Sequence, residues 1–188
     1  MNNSRFDNAI DKFDEYNSAD PNGKELIYSQ RMSDRLNKFK PDAAEHIRLA
    51  IRCQHIGRWK IPRNTYPDGK KGYLQWRNKL KDFHAETAAA ILADVGYDQP
   101  MIDSVKDLLE KKDLRSNPDT QLLEDVVCMV FVEFYLDEFA AKHNDEKVID
   151  ILAKTLKKMT PAAIGVAATF PLDARTATLL RNAVASLR

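Results

Sequence analysis

Residues 122–143, "LLEDVVCMVFVEFYLDEFAAKH", decide the fold class. From Val126 to Phe134 apolar side chains occupy nearly every angle of a helix, and a helix apolar all round is one enclosed by others. Its start is different. Asp125 falls in line with Leu122, Cys128, Met129 and Val132, and Glu124 with Val127 and Phe131, so two carboxylates share faces with apolar residues.

Outward from this stretch, the helical period recurs and no segment alternates as a half-buried strand would. The spacing predicts helices at about 4–16, 24–39 and from Pro41 onward. It predicts others at about 73–95 (closed by Gly96), about 100–112, from Pro118, at about 145–159 and about 172–187. In the third, Ile47, Ile51, His55 and Trp59 stand at successive i+4 positions. Residues 58–72, "RWKIPRNTYPDGKKG", break the pattern and read as a long loop packed by Trp59, Ile61 and Tyr66. At 188 residues the expectation is an all-α, single-domain helical bundle over residues 1–188. Its core would span about residues 24–160, with the C-terminal helix outside it.

With 44% hydrophobic and 30% charged residues the chain has a globular rather than a disordered composition. No apolar run approaches the roughly 20 residues needed to span a bilayer, so a cytoplasmic protein with no membrane partner is expected. Cys53 and Cys128 both lie inside apolar helical patterns and read as buried thiols. Net charge is +1, which excludes a molecule that attracts nucleic acid as a whole. The distribution is uneven. From Arg52 to Lys81 nine Lys or Arg face one acid, Asp68, so this segment carries +8 and the remainder −7.

The basic segment contains "RCQHIGRWKIPR", residues 52–63, where His55 shares a face with Ile47 and Ile51. His84 shares one with Leu80, Ala88, Ile91 and Val95. Two imidazoles and the Asp125/Glu124 pair thus point inward from three helices, and such groups need partners when buried. One solution is a divalent metal ion held by His55, His84 and Asp125, with Glu124 as proton acceptor. The other is a buried network in which the histidines bond directly to the carboxylates. Arg58, Arg63 and Arg77 lie among Trp59, Tyr66, Tyr73 and Trp76, where a guanidinium stacks on a ring and still offers its fork to phosphate. Lys111 and Lys112 end a helix, where they either complement its dipole or reach into a cleft. Lys70, Lys71, Lys79 and Lys81 read most simply as solvated surface.

"ELIYSQRMSDRL" (25–36), "RCQHIGRWKIPR" (52–63), "KKGYLQWRNKLKDFHAE" (70–86), "GYD" (96–98) and "QLLEDVVCMVFVEFY" (121–135) closely resemble a family of small proteins known only by a domain-of-unknown-function label. Some members carry a glutamyl-tRNA synthetase name. That activity requires a nucleotide-binding α/β core, which an all-helical chain lacks. More distantly, the order of features is similar to the HD superfamily of helical metal-dependent phosphohydrolases. In that comparison "QHIG" (54–57) stands for "HDIG", so Gln54-His55 replaces the usual doublet. Ser29 of "YSQRM" occupies the place of the first His, His84 that of the following His, and Asp125 that of the last Asp.

The resemblance implies an HD-like protein with a degenerate metal centre, acting as a phosphohydrolase on a phosphorylated small molecule or nucleotide. Gln54, Arg58, Arg63, Tyr66, Trp76, Arg77, Lys111 and Lys112 would hold that substrate. The alternative is a non-catalytic module that binds a phosphate ligand or an RNA end in the same pocket.

Overall fold

The computed structural model describes residues 4–114 and 116–186. All regular structure among them is helical, and the chain divides into two compact units, Met1–Asp113 and Leu114–Arg188. The boundary falls inside the single core expected over residues 24–160.

The first unit contains α1 (Arg5–Ser18), α2 (Lys24–Phe39), α3 (Glu45–Cys53), α4 (Gly69–Asp94) and α5 (Gln99–Glu110). Helix α1 starts at a capping box, in which Ser4 Oγ accepts from the Asp7 amide at 3.1 Å and Asp7 returns a bond to the Ser4 amide. Its buried stripe is Ala9, Phe13 and Asn17. The Asp20 carboxylate opens α2 by accepting from the Asn22, Lys24 and Glu25 amides. Burial raises its pKa, but those bonds outweigh it and hold the group below the usual range.

Helix α3 buries Ile47, Leu49, Ala50, Ile51 and Cys53 and stops there. The periodicity predicts a longer helix reaching Trp59. Gly57 ends it, with φ +66, and a Cβ at this position would meet Tyr16 and Phe83 carbons at 2.8 and 2.9 Å. Its amide donates to the buried Asn17 Oδ1 at 3.1 Å. A backbone conformation that suits glycine and a side-chain bond to α1 thus override local helical pattern.

The loop after it is ordered and packed, with 3-10 turns at Arg58–Lys60 and Arg63–Thr65. Trp76 Nε1 donates to the Ile61 carbonyl at 2.8 Å. Helix α4 then begins four residues earlier than expected, at Gly69, and its 26 residues run about 39 Å. Gly96, at φ +87, terminates it as predicted. Within this unit α4 packs along α5, α3 on α2 and α5, and α1 against α2, α3 and α4.

The second unit contains α6 (Pro118–Phe134), α7 (Leu136–Ala141), α8 (Asp145–Leu156), α9 (Pro161–Ala167) and α10 (Ala174–Ala185). Asn117 caps α6 by accepting from the Asp119 and Thr120 amides, with Pro118 in the first turn. The apolar helix expected to run onward is interrupted at Tyr135 and resumes as α7. Helix α9 was not legible in the sequence: seven residues are too few to establish a period. Thr160 caps it and Pro161 starts it. Helix α10 lies within the expected 172–187, whose last residue falls outside those described. Here α6 packs on α9 and α7, and α10 on α8 and α7. Cys53 and Cys128 are buried free thiols. No described helix is long and apolar enough to cross a membrane.

Candidate functional site

His84 projects from the buried face of α4, together with Leu80, Ala85, Ala88 and Leu92, and is 4% exposed. Its Nδ1 lies 2.7 Å from the Ile56 carbonyl. A carbonyl only accepts, so Nδ1 carries the proton and Nε2 presents a lone pair. That Nε2 is buried and has no partner. Burial pushes the His84 pKa down to about 4; the Ile56 bond opposes the shift and the Arg58 charge adds to it. The ring is therefore neutral near pH 7.

His55 lies in the turn after α3, 5.8 Å ring to ring from His84. It stacks on Tyr28 of α2 at 4.3 Å. Arg58 Nη1 donates to its Nε2 at 3.1 Å, since a guanidinium has no acceptor. Nδ1 faces Glu25 Oε2 at 3.9 Å. Burial, then the charges of Arg58, His84, Lys111 and Arg77, hold His55 well below the usual imidazole pKa. Burial raises Glu25 to about 7 against the opposing pull of Arg58. Gln54 is buried and accepts from the Tyr28 hydroxyl at 2.8 Å.

These groups surround a small cavity of about 40 Å³, lined by Gln54, His55, Arg58, Arg77, Lys81, His84 and Lys111 with Leu80 and Leu109. It has room for roughly three water-sized groups. Four cationic side chains line it and no carboxylate does. Arg58 also lies over the Trp76 ring at 4.7 Å, and Arg77 over Tyr73 at 5.8 Å. Neither guanidinium has a carboxylate at ion-pair distance among the described residues. A second, more open cleft of about 180 Å³ shares Arg58 and includes Glu25, Trp59, Arg63 and Trp76.

Six residues singled out in the sequence, Gln54, His55, Arg58, Arg77, His84 and Lys111, thus meet at one cavity. Trp76 supports it by holding Arg58. Arg63 and Tyr66 do not line it: Arg63 lines the open cleft and donates to the Tyr66 and Pro67 carbonyls at 2.9 and 3.0 Å, clasping the loop. Lys112 pairs with Asp107 and Glu110 at 2.6 and 3.0 Å.

Asp125 and Glu124 have partners within the second unit. Asp125 accepts from the Thr160 amide at 2.8 Å, the Thr160 hydroxyl at 2.6 Å and Gln121 Nε2 at 3.1 Å. Glu124 Oε1 lies 3.5 Å from Lys158 Nζ. Among the described residues no three His, Cys, Asp or Glu side chains are gathered as a metal ion would need.

Glu25, Tyr28 and Lys81 were missed. For Lys81 a signal existed: it stands four residues after Arg77 and three before His84, on the same face of α4. Nothing local in α2 marks Glu25 and Tyr28, because their neighbours come from another helix.

These features define an all-helical protein with a small, half-open basic cavity that no carboxylate lines. The chain belongs to the family described as Domain of unknown function (DUF4202), whose model matches residues 7–180. No curated protein and no solved structure matches it.

Proposed function

We infer that the first unit binds the phosphate group of a phosphorylated small molecule in the His84 cavity. The observation that carries this reading is the lining itself: Arg58, Arg77, Lys81 and Lys111 converge with no acid among them. A phosphate would meet the Arg58 and Arg77 guanidiniums, whose planar forks match its oxygens. The cavity accommodates the head of such a ligand, while the open cleft beyond Arg58 leaves space for the rest.

The HD-like reading, a phosphohydrolase with a divalent metal, addresses the same residues. The donor set does not suit a dication. The His55 Nε2 lone pair is taken by Arg58, the cavity is lined by four positive side chains, and of the two imidazoles His84 alone presents a lone pair without a partner. An HD-like ancestor that lost its metal and kept its pocket would leave this arrangement.

Calorimetric titration of inorganic phosphate and phenyl phosphate tests the reading. Expected is saturable binding that weakens with salt. Arg77→Ala and Lys81→Ala, each checked for an intact thermal transition, should weaken it about tenfold, the loss of one charge-assisted hydrogen bond. No binding, or binding indifferent to both changes, refutes it. Phosphate release from phenyl phosphate only on adding a divalent metal would instead favour the hydrolase, and preference for a 5′-phosphorylated RNA would move the ligand to an RNA end.

A further inference from the structure

The cavity contains one group that cations alone do not explain. Among four positive side chains sits a lone pair, His84 Nε2, which is buried and unpartnered. The opposite nitrogen is committed as a donor to the Ile56 carbonyl, so the ring cannot turn its N–H toward the ligand without abandoning that bond. Burial and the charge of Arg58 oppose a second proton on it. Nε2 is therefore a fixed acceptor at the wall of an anion site.

A fully deprotonated oxyanion presents only lone pairs to that wall. Lone pair would face lone pair, and a buried acceptor left unsatisfied costs its full desolvation penalty. An oxyanion that still carries a proton near neutral pH avoids the clash by donating its O–H to Nε2 while its charged oxygens take the cations. Inorganic phosphate meets this condition, because near neutral pH it still carries a proton that leaves only in strong alkali, and a monoester meets it in its monoanion, whose last proton leaves near pH 6. Sulfate, of the same shape, does not.

We propose that His84 Nε2 makes the cavity selective for protonatable oxyanions, accepting phosphate or a phosphate monoester and rejecting sulfate. This rests on the phosphate reading above. His84 acts as a specificity residue that demands one shared proton between ring and ligand. The shared proton stays on the ligand oxygen, and sulfate brings none.

The test is a calorimetric panel on the wild-type chain at pH 7.5, with phosphate and arsenate, which carry an exchangeable proton, against sulfate and fluorophosphate, which do not. The expected result is phosphate and arsenate binding at least about tenfold tighter than the other two, the fold-change that an unsatisfied buried acceptor imposes. In His84→Ala, verified as folded by its thermal transition, the preference should shrink toward unity while Arg77→Ala weakens all four anions alike. Equal affinities in the wild type overturn the selectivity and leave the phosphate reading standing. Tighter sulfate binding overturns it too, and failure of every anion to bind overturns both.

Discussion

Replacing Asp125 with alanine tests whether this residue serves the second unit rather than chemistry. Asp125 is 2% exposed, and its carboxylate joins α6 to the start of α9 through the Thr160 amide and hydroxyl while also accepting from Gln121 one turn back in α6. Bonds to a charged acceptor contribute about 1.5–3 kcal/mol each. The two from Thr160 are the shorter pair and the ones whose donors lose their acceptor at a helix cap. Removing a buried carboxylate also relieves its own desolvation, which offsets part of the loss. The balance is a destabilisation of about 2–4 kcal/mol, or about 5–15 °C in the transition of a chain this size. Asp125→Asn keeps one acceptor oxygen and should cost about half as much. Denaturant melts give the magnitude, and hydrogen exchange gives the place: protection should fall first at the Thr160 and Ala163 amides, the latter held by the Thr160 hydroxyl oxygen. A loss below about 1 kcal/mol, or a gain in stability, would refute the reasoning. A carboxylate retained for catalysis at the expense of the fold typically gives such a gain when removed.

Gly72→Ala should destabilise the chain by at least about 2 kcal/mol in a denaturant melt, the reverse of the roughly 1 kcal/mol gain expected for this change inside a helix. A Cβ there would lie 1.9 Å from the Pro67 carbonyl oxygen, and a neutral or stabilising outcome would show that the loop yields. Glu25 titrates near 7 in the fold against 4.5 in a model carboxyl, so the folded state holds the extra proton between those values. Its contribution is full below about pH 4.5 and is lost as pH rises through 7. Glu25→Gln should therefore stabilise the protein at pH 8 by about 1–3 kcal/mol relative to wild type; lower stability at pH 8 would contradict the burial argument. His84 runs the other way. Its lowered pKa costs stability as pH falls from 6.5 toward 4, so Glu25→Gln should also leave a steeper acid limb below pH 6.5.

The sequence by itself determined the helices and where most of them begin and end. Period, proline starts and Gly96 act over a few residues; α2, α4, α5 and α8 lie within a few residues of their expected bounds, and α6 begins at the expected Pro118. It also determined that His55, His84, Arg58 and Arg77 are unusual, because polar groups on apolar faces stand out without knowledge of neighbours. What only tertiary structure decided is which of them meet. His55 and His84 come together because the chain turns at Gly57 after α3 and α4 runs back past that turn, with the Ile56 carbonyl holding the His84 imidazole. Asp125, whose spacing looked the same on the page, is engaged by Thr160 at a distance of 35 residues. Glu25 and Tyr28 reach His55 across 30 and 27 residues. A side chain's partner on another helix depends on how the helices pack, and helical period carries no information about that.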